Sequence, residues 1–490
     1  MSVKEKARRK DSPKAPKGFD RLKWYGPGLL WMVSAVGSGS VLFTPRVGSR
    51  YGYEFLWMAL IFMFFMWVMI REVGRYTVVT GKTIFEGYRD ISGSTNWPLY
   101  FIIIPQFLAA VVTIAGIAAL AGSAMMIAYP WQYEYYATGL ILLCLLLVVT
   151  GKYATIERVT SILGGVLVLV VIVSAIVVLP DIGKLAQGAV PSIPSDIDVD
   201  FVIPWVGFIL AGASGIMWFS YWVAARAYGG ELTSLEEVKT FSYEDEKHDI
   251  TEHKGTYSQL RRWLRTMTVT ALVGVVGGGL ILISFLILGA ELLQPEGLIP
   301  EGIDVAKDLT KLLSGVWGEV GRWSLIVGIL IALVGTILSN QDGYGRMFAD
   351  GTVILALPYL QKKKLVDPEL PLAAENKAKP TDDLSGRKKK FTSFILNKEL
   401  LRIIYAVALG AIVPIIVFFI VKDPVEILSV AGTVAAVHTP VVVFLTLYLN
   451  RTRLPAPLRP GKFITAAMWL SGFAYGAFAV FHFATLGGGG

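Results

Sequence analysis

Two short runs of small residues are where this chain could hold a solute. Gly37-Ser38-Gly39-Ser40 interrupts an apolar stretch that carries no charge from Trp24 to Pro45, and Gly212-Ala213-Ser214-Gly215 interrupts a second one between Phe201 and Ala225. A helix broken in this way inside a bilayer frees backbone N–H and C=O groups, which is tolerated only where they are buried in protein or line a cavity. Transporters use such breaks to hold solutes near the membrane midplane. Neither stretch contains Asp, Glu or His, so the chemistry on offer is that of dipoles and hydroxyls.

The residues expected to bind substrate are Gly37, Ser38, Gly39 and Ser40 at the first break, and Ser214, Gly215, Trp218, Tyr221 and Trp222 at and after the second. Gln106, Asn340, Gln341 and His438 join them from other apolar segments. Aromatic faces beside neutral donors and acceptors suit a neutral, polyhydroxylated solute, whose C–H faces lie on rings while its hydroxyls form hydrogen bonds. Each residue also has a plainer reading. Trp and Tyr often anchor helices at the membrane interface, Gln106 follows the helix-kinking Pro105, Asn340 and Gln341 sit at the end of an apolar run, and His438 beside Pro440 suits packing. The glycines by themselves also fit close helix packing.

These residues need a membrane scaffold. With 490 residues, 54% hydrophobic side chains and 17% charged ones, and a mean hydropathy of +0.58, the chain is too apolar for a soluble protein of its size. Runs long enough to cross about 30 Å of hydrocarbon occur at 24–45, 55–70, 97–129, 136–150, 159–180, 201–225, 266–290, 323–341, 403–421, 427–450 and 463–484, which makes eleven spans. Nine Lys and Arg residues among the first 23 place the N-terminus in the cytoplasm of a plasma (inner) membrane protein, and an odd span count puts the C-terminus outside. The even-numbered connections carry the remaining basic clusters, so the net charge of +8 reflects topology and contact with anionic lipid headgroups. It does not indicate nucleic-acid binding, since the basic residues are scattered over separate loops.

The expected organisation is a basic tail (1–23), a first repeat of five spans (24–200), a second (201–450) with polar loops at 226–265 and 342–402, and an eleventh span with a tag-like Gly487–Gly490 end (451–490). Glu244, Asp245, Glu246, His248, Asp249, Glu252 and His253 read as a solvated mixed-charge loop, since nothing fixes metal-ligand geometry. The single Cys144 excludes a disulfide framework, and the basic tail runs into a full-length span, which does not fit a cleavable signal peptide. No cofactor is expected, and no nucleophile–base pair or phosphate loop points to an enzyme. The expected partners are a small-molecule solute and membrane lipids; the oligomeric state is not legible.

The two breaks lie five spans apart, each in the first helix of a five-span half, which is the pattern of an inverted-repeat transporter. Gly26-Pro27-Gly28, Tyr51-Gly52-Tyr53, Thr80-Gly81-Lys82 with Glu86 and Arg89, Gly122-Ser123-Ala124 and Gly212-Ala213-Ser214 occur in the order and at the spacing of the Nramp family of transition-metal transporters, which the chain resembles. The resemblance implies an all-α polytopic membrane protein with a LeuT-like fold, two inverted five-helix repeats plus an eleventh helix, working by alternating access. The family's first break reads Asp-Pro-Gly-Asn, with the Asp and Asn as metal ligands; Gly37-Ser38-Gly39-Ser40 stands there instead. The family's helix 6 Met ligand aligns near Ile216, and a one-residue slip brings Met217 to it. The family's helix 10 glutamine aligns with Gly432, and its acidic proton-path positions on helix 3 align with Gly116 and Ala119.

A bare dication entering a low-dielectric cavity needs anionic or multiple ligands to replace its water. The expectation is therefore a secondary transporter of a neutral polar organic solute, a sugar such as glucose, acting as a uniporter without proton coupling or a metal-binding residue. The alternative is a divalent metal ion (Mn2+ or Mg2+) carrier that binds a hydrated ion through backbone carbonyls and serine oxygens.

Overall fold

The computed structural model describes residues 14–35, 37, 39–89, 91, 96–150, 153–178, 180–229, 254–368, 378–381 and 384–487. The first expected span folds as two helices, α1 (Gly26–Ala35) and α2 (Thr44–Tyr51), with a π-helical turn at Gly39–Phe43 before α2. There follow α3 (Leu56–Thr80), α4 (Ile84–Arg89), α5 (Trp97–Ala128), α6 (Tyr133–Thr150), α7 (Tyr153–Val177) and α8 (Ile182–Gly188). The sixth span is divided into α9 (Val199–Phe208) and α10 (Gly212–Ala225). The remainder comprises α11 (Lys254–Leu288), α12 (Val305–Lys362), α13 (Gly386–Leu396), α14 (Lys398–Val407), α15 (Val413–Val421), α16 (Pro424–Thr452) and α17 (Lys462–Gly487).

Among the described residues nine helices are long and apolar enough to cross a membrane, or ten when the bent pair Gly165–Val177 and Ile182–Gly188 counts as one span. The first expected span falls outside that test because its break leaves no single helix long enough.

Two polar connections begin and end differently from the expectation. α12 does not stop near residue 341 but continues as helix to Lys362, and α13 and α14 occupy much of 386–402, so the loop expected at 342–402 is largely helical. Several of the charges in this stretch are paired along helix surfaces. Asp342 accepts from Arg346 Nε at 2.7 Å and from Arg402 Nη1 at 2.8 Å, and Asp350 meets Lys398 Nζ at 2.9 Å. Likewise α11 already starts at Lys254, inside the loop expected at 226–265. The acidic and histidine cluster from Glu244 to His253 lies outside the described residues, as does the start of the basic tail.

The chain divides into two compact units, Met1–Tyr88 with Leu179–Ile287 and Ala435–Gly490, and Arg89–Val178 with Leu288–Val434. In the first, α10 packs on α3 and α1, while α17 packs on α3 and α9. Small residues permit close approach: a Cβ on Gly74 of α3 would lie 2.9 Å from Phe219 Cε1 of α10, and one on Gly28 of α1 would lie 2.0 Å from the Thr270 carbonyl oxygen of α11. In the second unit α12 is the central helix, packed on α5, α6, α7 and α14. Phe107 stacks on Phe348 at 4.2 Å, and Gly328 makes room for Leu167.

A compensated charge cluster holds the first unit together at one end of α3. Glu72 is fully buried. It accepts from Arg75 Nε at 2.9 Å and 3.1 Å, from Asn450 Nδ2 at 2.9 Å, and from the Arg71 guanidinium, while Arg75 Nη1 donates to the Leu458 carbonyl at 2.7 Å. Helix α3 is thereby tied to α16 and to the turn that follows it. Removing one member of such a group leaves an uncompensated buried charge, which costs about 3–5 kcal/mol. Glu72→Ala is therefore expected to lower the melting temperature in detergent steeply, and Glu72→Gln to lower it less; a melting temperature unchanged by Glu72→Ala would show the cluster to be dispensable.

Candidate functional site

The two breaks expected to form a site come together within the first unit. At the first, the π-helical turn runs Gly39 to Phe43, all buried, and the Val41 N–H donates to the Gly37 carbonyl at 3.2 Å. At the second, α9 ends at Phe208 and the chain passes through Ile209, Leu210 and Ala211 before α10 begins. Leu210 (φ 67°) and Gly212 (φ 59°) both take left-handed backbone, and for leucine this is strained. A Cβ on Gly39 would sit 2.3 Å from the Phe208 carbonyl oxygen, so the backbones touch where each helix is interrupted. Only glycine permits that approach.

Side chains on either side close the junction. The Thr44 hydroxyl donates to the Gly39 carbonyl at 3.0 Å and accepts from the Trp205 indole N–H at 3.1 Å. Phe43 stacks on Phe208 with ring centres 5.8 Å apart. Beyond them Arg46 and Arg50 each lie with the guanidinium carbon 4.7 Å from the Phe201 ring centre, and Arg50 pairs with Asp198 at 3.0 Å. Asp198 also caps α9 by accepting from the Phe201 N–H, and its own N–H donates to the Tyr51 hydroxyl. Helices α2 and α9 are thus joined by bonds that satisfy buried backbone and indole groups at the break and by a half-exposed ion pair beyond it.

Of the residues expected at the first break, Gly37, Gly39 and Ser40 are buried, Gly39 against Phe208 at the second, and Ser38 lies outside the described residues. At the second, Ser214 is half-buried and Gly215 is buried, a Cβ there meeting Ala211 Cβ at 2.5 Å and lying 4.0 Å from Trp31 Nε1. Gly215 thus serves close packing whatever else it does. Trp218, Tyr221 and Trp222 follow at helical spacing on α10, Trp218 buried and the other two half-buried. Met217 is fully buried. Helix α16 also reaches the break: Ala435 Cβ lies 3.3 Å from where a Cβ on Gly212 would stand, and buried His438 follows one turn later.

Gln106, Asn340 and Gln341 belong to the second unit. Gln106 is buried on α5. Asn340 and Gln341 are not at a helix end but inside α12, and both amides bond to backbone. Asn340 Nδ2 donates to the Thr336 carbonyl at 2.7 Å; Gln341 Nε2 donates to the carbonyls of Ile141 at 3.2 Å and Gly410 at 2.9 Å. Gln341 therefore ties α6 and the π-helical turn at Ala408–Ile412 to α12. Leu428 fills the space over Gly116, where a Cβ would stand 2.5 Å from the leucine Cγ, so an acidic side chain there would have to displace leucine.

Thr44, Trp205 and Trp31 belong to the junction and escaped the reading of the sequence. The spacing of Trp205 and Phe208, three apart and on one face of α9, was the available signal. Among the described residues no group of three or more His, Cys, Asp or Glu side chains is placed to hold a metal ion. The junction offers backbone dipoles, the Thr44 hydroxyl and the aromatic faces of Phe43, Phe208 and Trp205.

Thr44→Val removes a donor from the Gly39 carbonyl and an acceptor from the Trp205 N–H, both buried, at about 1–3 kcal/mol for each group left unpaired. A melting temperature several degrees lower in detergent is expected, whereas Thr44→Ser should stay close to the parent. Gly39→Ala, which must push the two breaks apart, is expected to lose more stability than Thr44→Val in the same measurement.

Residues 28–344, which include both breaks, match the model of the family described as natural resistance-associated macrophage protein-like, Nramp. The chain is 22% identical over 335 residues to an uncharacterized protein of Pasteurella multocida, covering 66% of this chain and 68% of that one. Two crystal structures of mutants of the Eremococcus coleocola manganese transporter superpose with TM-scores of 0.66 and 0.67, at 14% and 13% identity, over 96% of this chain and 89% and 88% of theirs. At that identity the likeness speaks for the fold, a LeuT-like arrangement of two inverted five-helix repeats plus an eleventh helix. With a family match over most of its length and its apolar helices in that fold, the chain belongs to the Nramp family and is a multi-pass integral membrane transporter.

Proposed function

We propose that this transporter carries a divalent metal ion that keeps part of its water shell. The observation that carries this reading is the family match, which runs through both breaks, and the name of the solved relatives, manganese transporters, agrees with it. The residues at the junction favour a particular kind of ion. Backbone carbonyls and the hydroxyls of Ser40 and Ser214 would offer hard, neutral oxygens, and Met217, two residues after Gly215, would offer a soft sulfur. Neutral oxygens do not replace the whole shell of a dication, but they accept hydrogen bonds from water bound to one. Mg2+ dehydrates reluctantly and is usually bound with several waters in place, so it fits such a site better than an ion that needs anionic or soft ligands. Small residues where the family carries Asp and Asn leave room for those waters.

A second reading is favoured by a separate observation. Neither broken span has a carboxylate or imidazole between Trp24 and Pro45 or between Phe201 and Ala225, and Trp218, Tyr221 and Trp222 line α10 just after the break. Uncharged dipoles beside aromatic faces suit a neutral polar solute such as a hexose, moved without proton coupling.

Uptake by the purified protein in liposomes separates the two. The expected result is Mg2+ or Mn2+ influx above that of empty liposomes, with no accumulation of labelled glucose. Glucose uptake in the absence of a pH gradient, with no ion influx, would overturn the metal reading in favour of the second. Trp218→Ala provides an independent check: ion influx at equal protein content should stay within about twofold of the parent, because a hydrated ion gains little from an indole face, whereas solute stacked on that ring would lose a stacking contact worth about 1 kcal/mol or more.

A further inference from the structure

Helix α13 carries Arg387, Lys388, Lys389 and Lys390 in consecutive positions, all exposed, followed by exposed Phe391 and Phe394. Arg387, Phe391 and Phe394 fall on one face by helical spacing. The adjoining face is used internally: Thr392 is buried, and Ile395 and Leu396 pack on Leu357 and Leu360 of α12 and on Val366 just beyond it. That packing brings Lys362, Lys363 and Lys364, also exposed, to the same end of the second unit. None of these seven cationic groups has an ion-pair partner among the described residues. Three acids on α12 and α14 are engaged elsewhere, Asp342 with Arg346 and Arg402, Asp350 with Lys398 and Glu399 with Arg402.

Position decides what these charges meet. A single residue, Asn397, separates α13 from α14, and its side chain caps α14 by accepting from the Leu400 N–H at 3.0 Å. Since α14 opens the apolar span Lys398–Val421, α13 lies where the hydrocarbon ends. A helix with a basic run and exposed phenylalanines at that level has the make-up of an interfacial segment, with rings at the acyl boundary and cations among headgroup phosphates. We propose that α13 together with Lys362–Lys364 docks the phosphate headgroups of anionic phospholipids in the adjoining leaflet. The exposed ring pair is what favours lipid over free phosphate, because phosphate alone has no use for it. The proposal is independent of the cargo.

The full-length protein in detergent tests it through melting curves recorded with phosphatidylglycerol, with phosphatidylcholine at the same mole fraction, or with inorganic phosphate alone. Phosphatidylglycerol is expected to raise the melting temperature, and the other two to leave it in place. Replacing Arg387, Lys388, Lys389 and Lys390 together by Gln should raise the half-saturating phosphatidylglycerol fraction by about tenfold or more. Lys362→Gln with Lys363→Gln and Lys364→Gln, made as a separate variant, should raise it less, and Phe391→Ser with Phe394→Ser should raise it without any change of charge. An unchanged half-saturating fraction in both charge variants, an equal response to phosphatidylcholine, or a response to inorganic phosphate alone would overturn the proposal.

Discussion

A bilayer has no water to offer an interrupted helix, and that constraint organises the first unit. Each break releases N–H and C=O groups that must find partners within the protein. The chain meets this by putting the two breaks against each other. The Gly39 backbone approaches the Phe208 carbonyl as only glycine can, and the Thr44 hydroxyl bridges the Gly39 carbonyl to the Trp205 indole. The Phe43–Phe208 stack and the Arg50–Asp198 pair extend the same clamp along α2 and α9. A substrate site at this place is therefore built on backbone already held rigidly on one side.

Charge is distributed to the same end. Glu72 with Arg75 and Asn450 in the first unit, and Asp342 with Arg346 and Arg402 in the second, are compensated groups in which carboxylates and cations satisfy one another. The broken helices themselves carry no acid at all in their apolar stretches. These acids are held in paired groups while the breaks are left to neutral dipoles, which is why the nature of the cargo turns on how much of its own solvation it brings along.

Family and fold do not by themselves name a cargo, since function resides in the particular groups at a site. Here the Nramp family match runs through two breaks whose apolar stretches carry no Asp, Glu or His. The space over Gly116 is taken by Leu428, an apolar neighbour that any larger side chain would have to displace.

The sequence by itself determined that apolar runs of membrane-crossing length recur along the chain, that two of them are interrupted close to glycine clusters, and that those stretches are uncharged, because hydrophobic runs, glycine clusters and missing charges are local properties of the chain; the second interruption falls at Ile209–Ala211, just ahead of the expected Gly212–Gly215. Only the tertiary structure decided what those residues touch. Asn340 and Gln341 read as the end of a span, yet α12 continues to Lys362 because its charges find partners on α14. The amide of Gln341 bonds to carbonyls of Ile141 and Gly410, which are far away in the sequence. Thr44 and Trp205 drew no notice as a threonine and a tryptophan in apolar runs; they became a hydrogen-bonded bridge once folding brought residues 161 positions apart within 3.1 Å. Hydrogen bonds and close backbone contacts depend on distance in space, and periodicity along a chain carries no record of that distance.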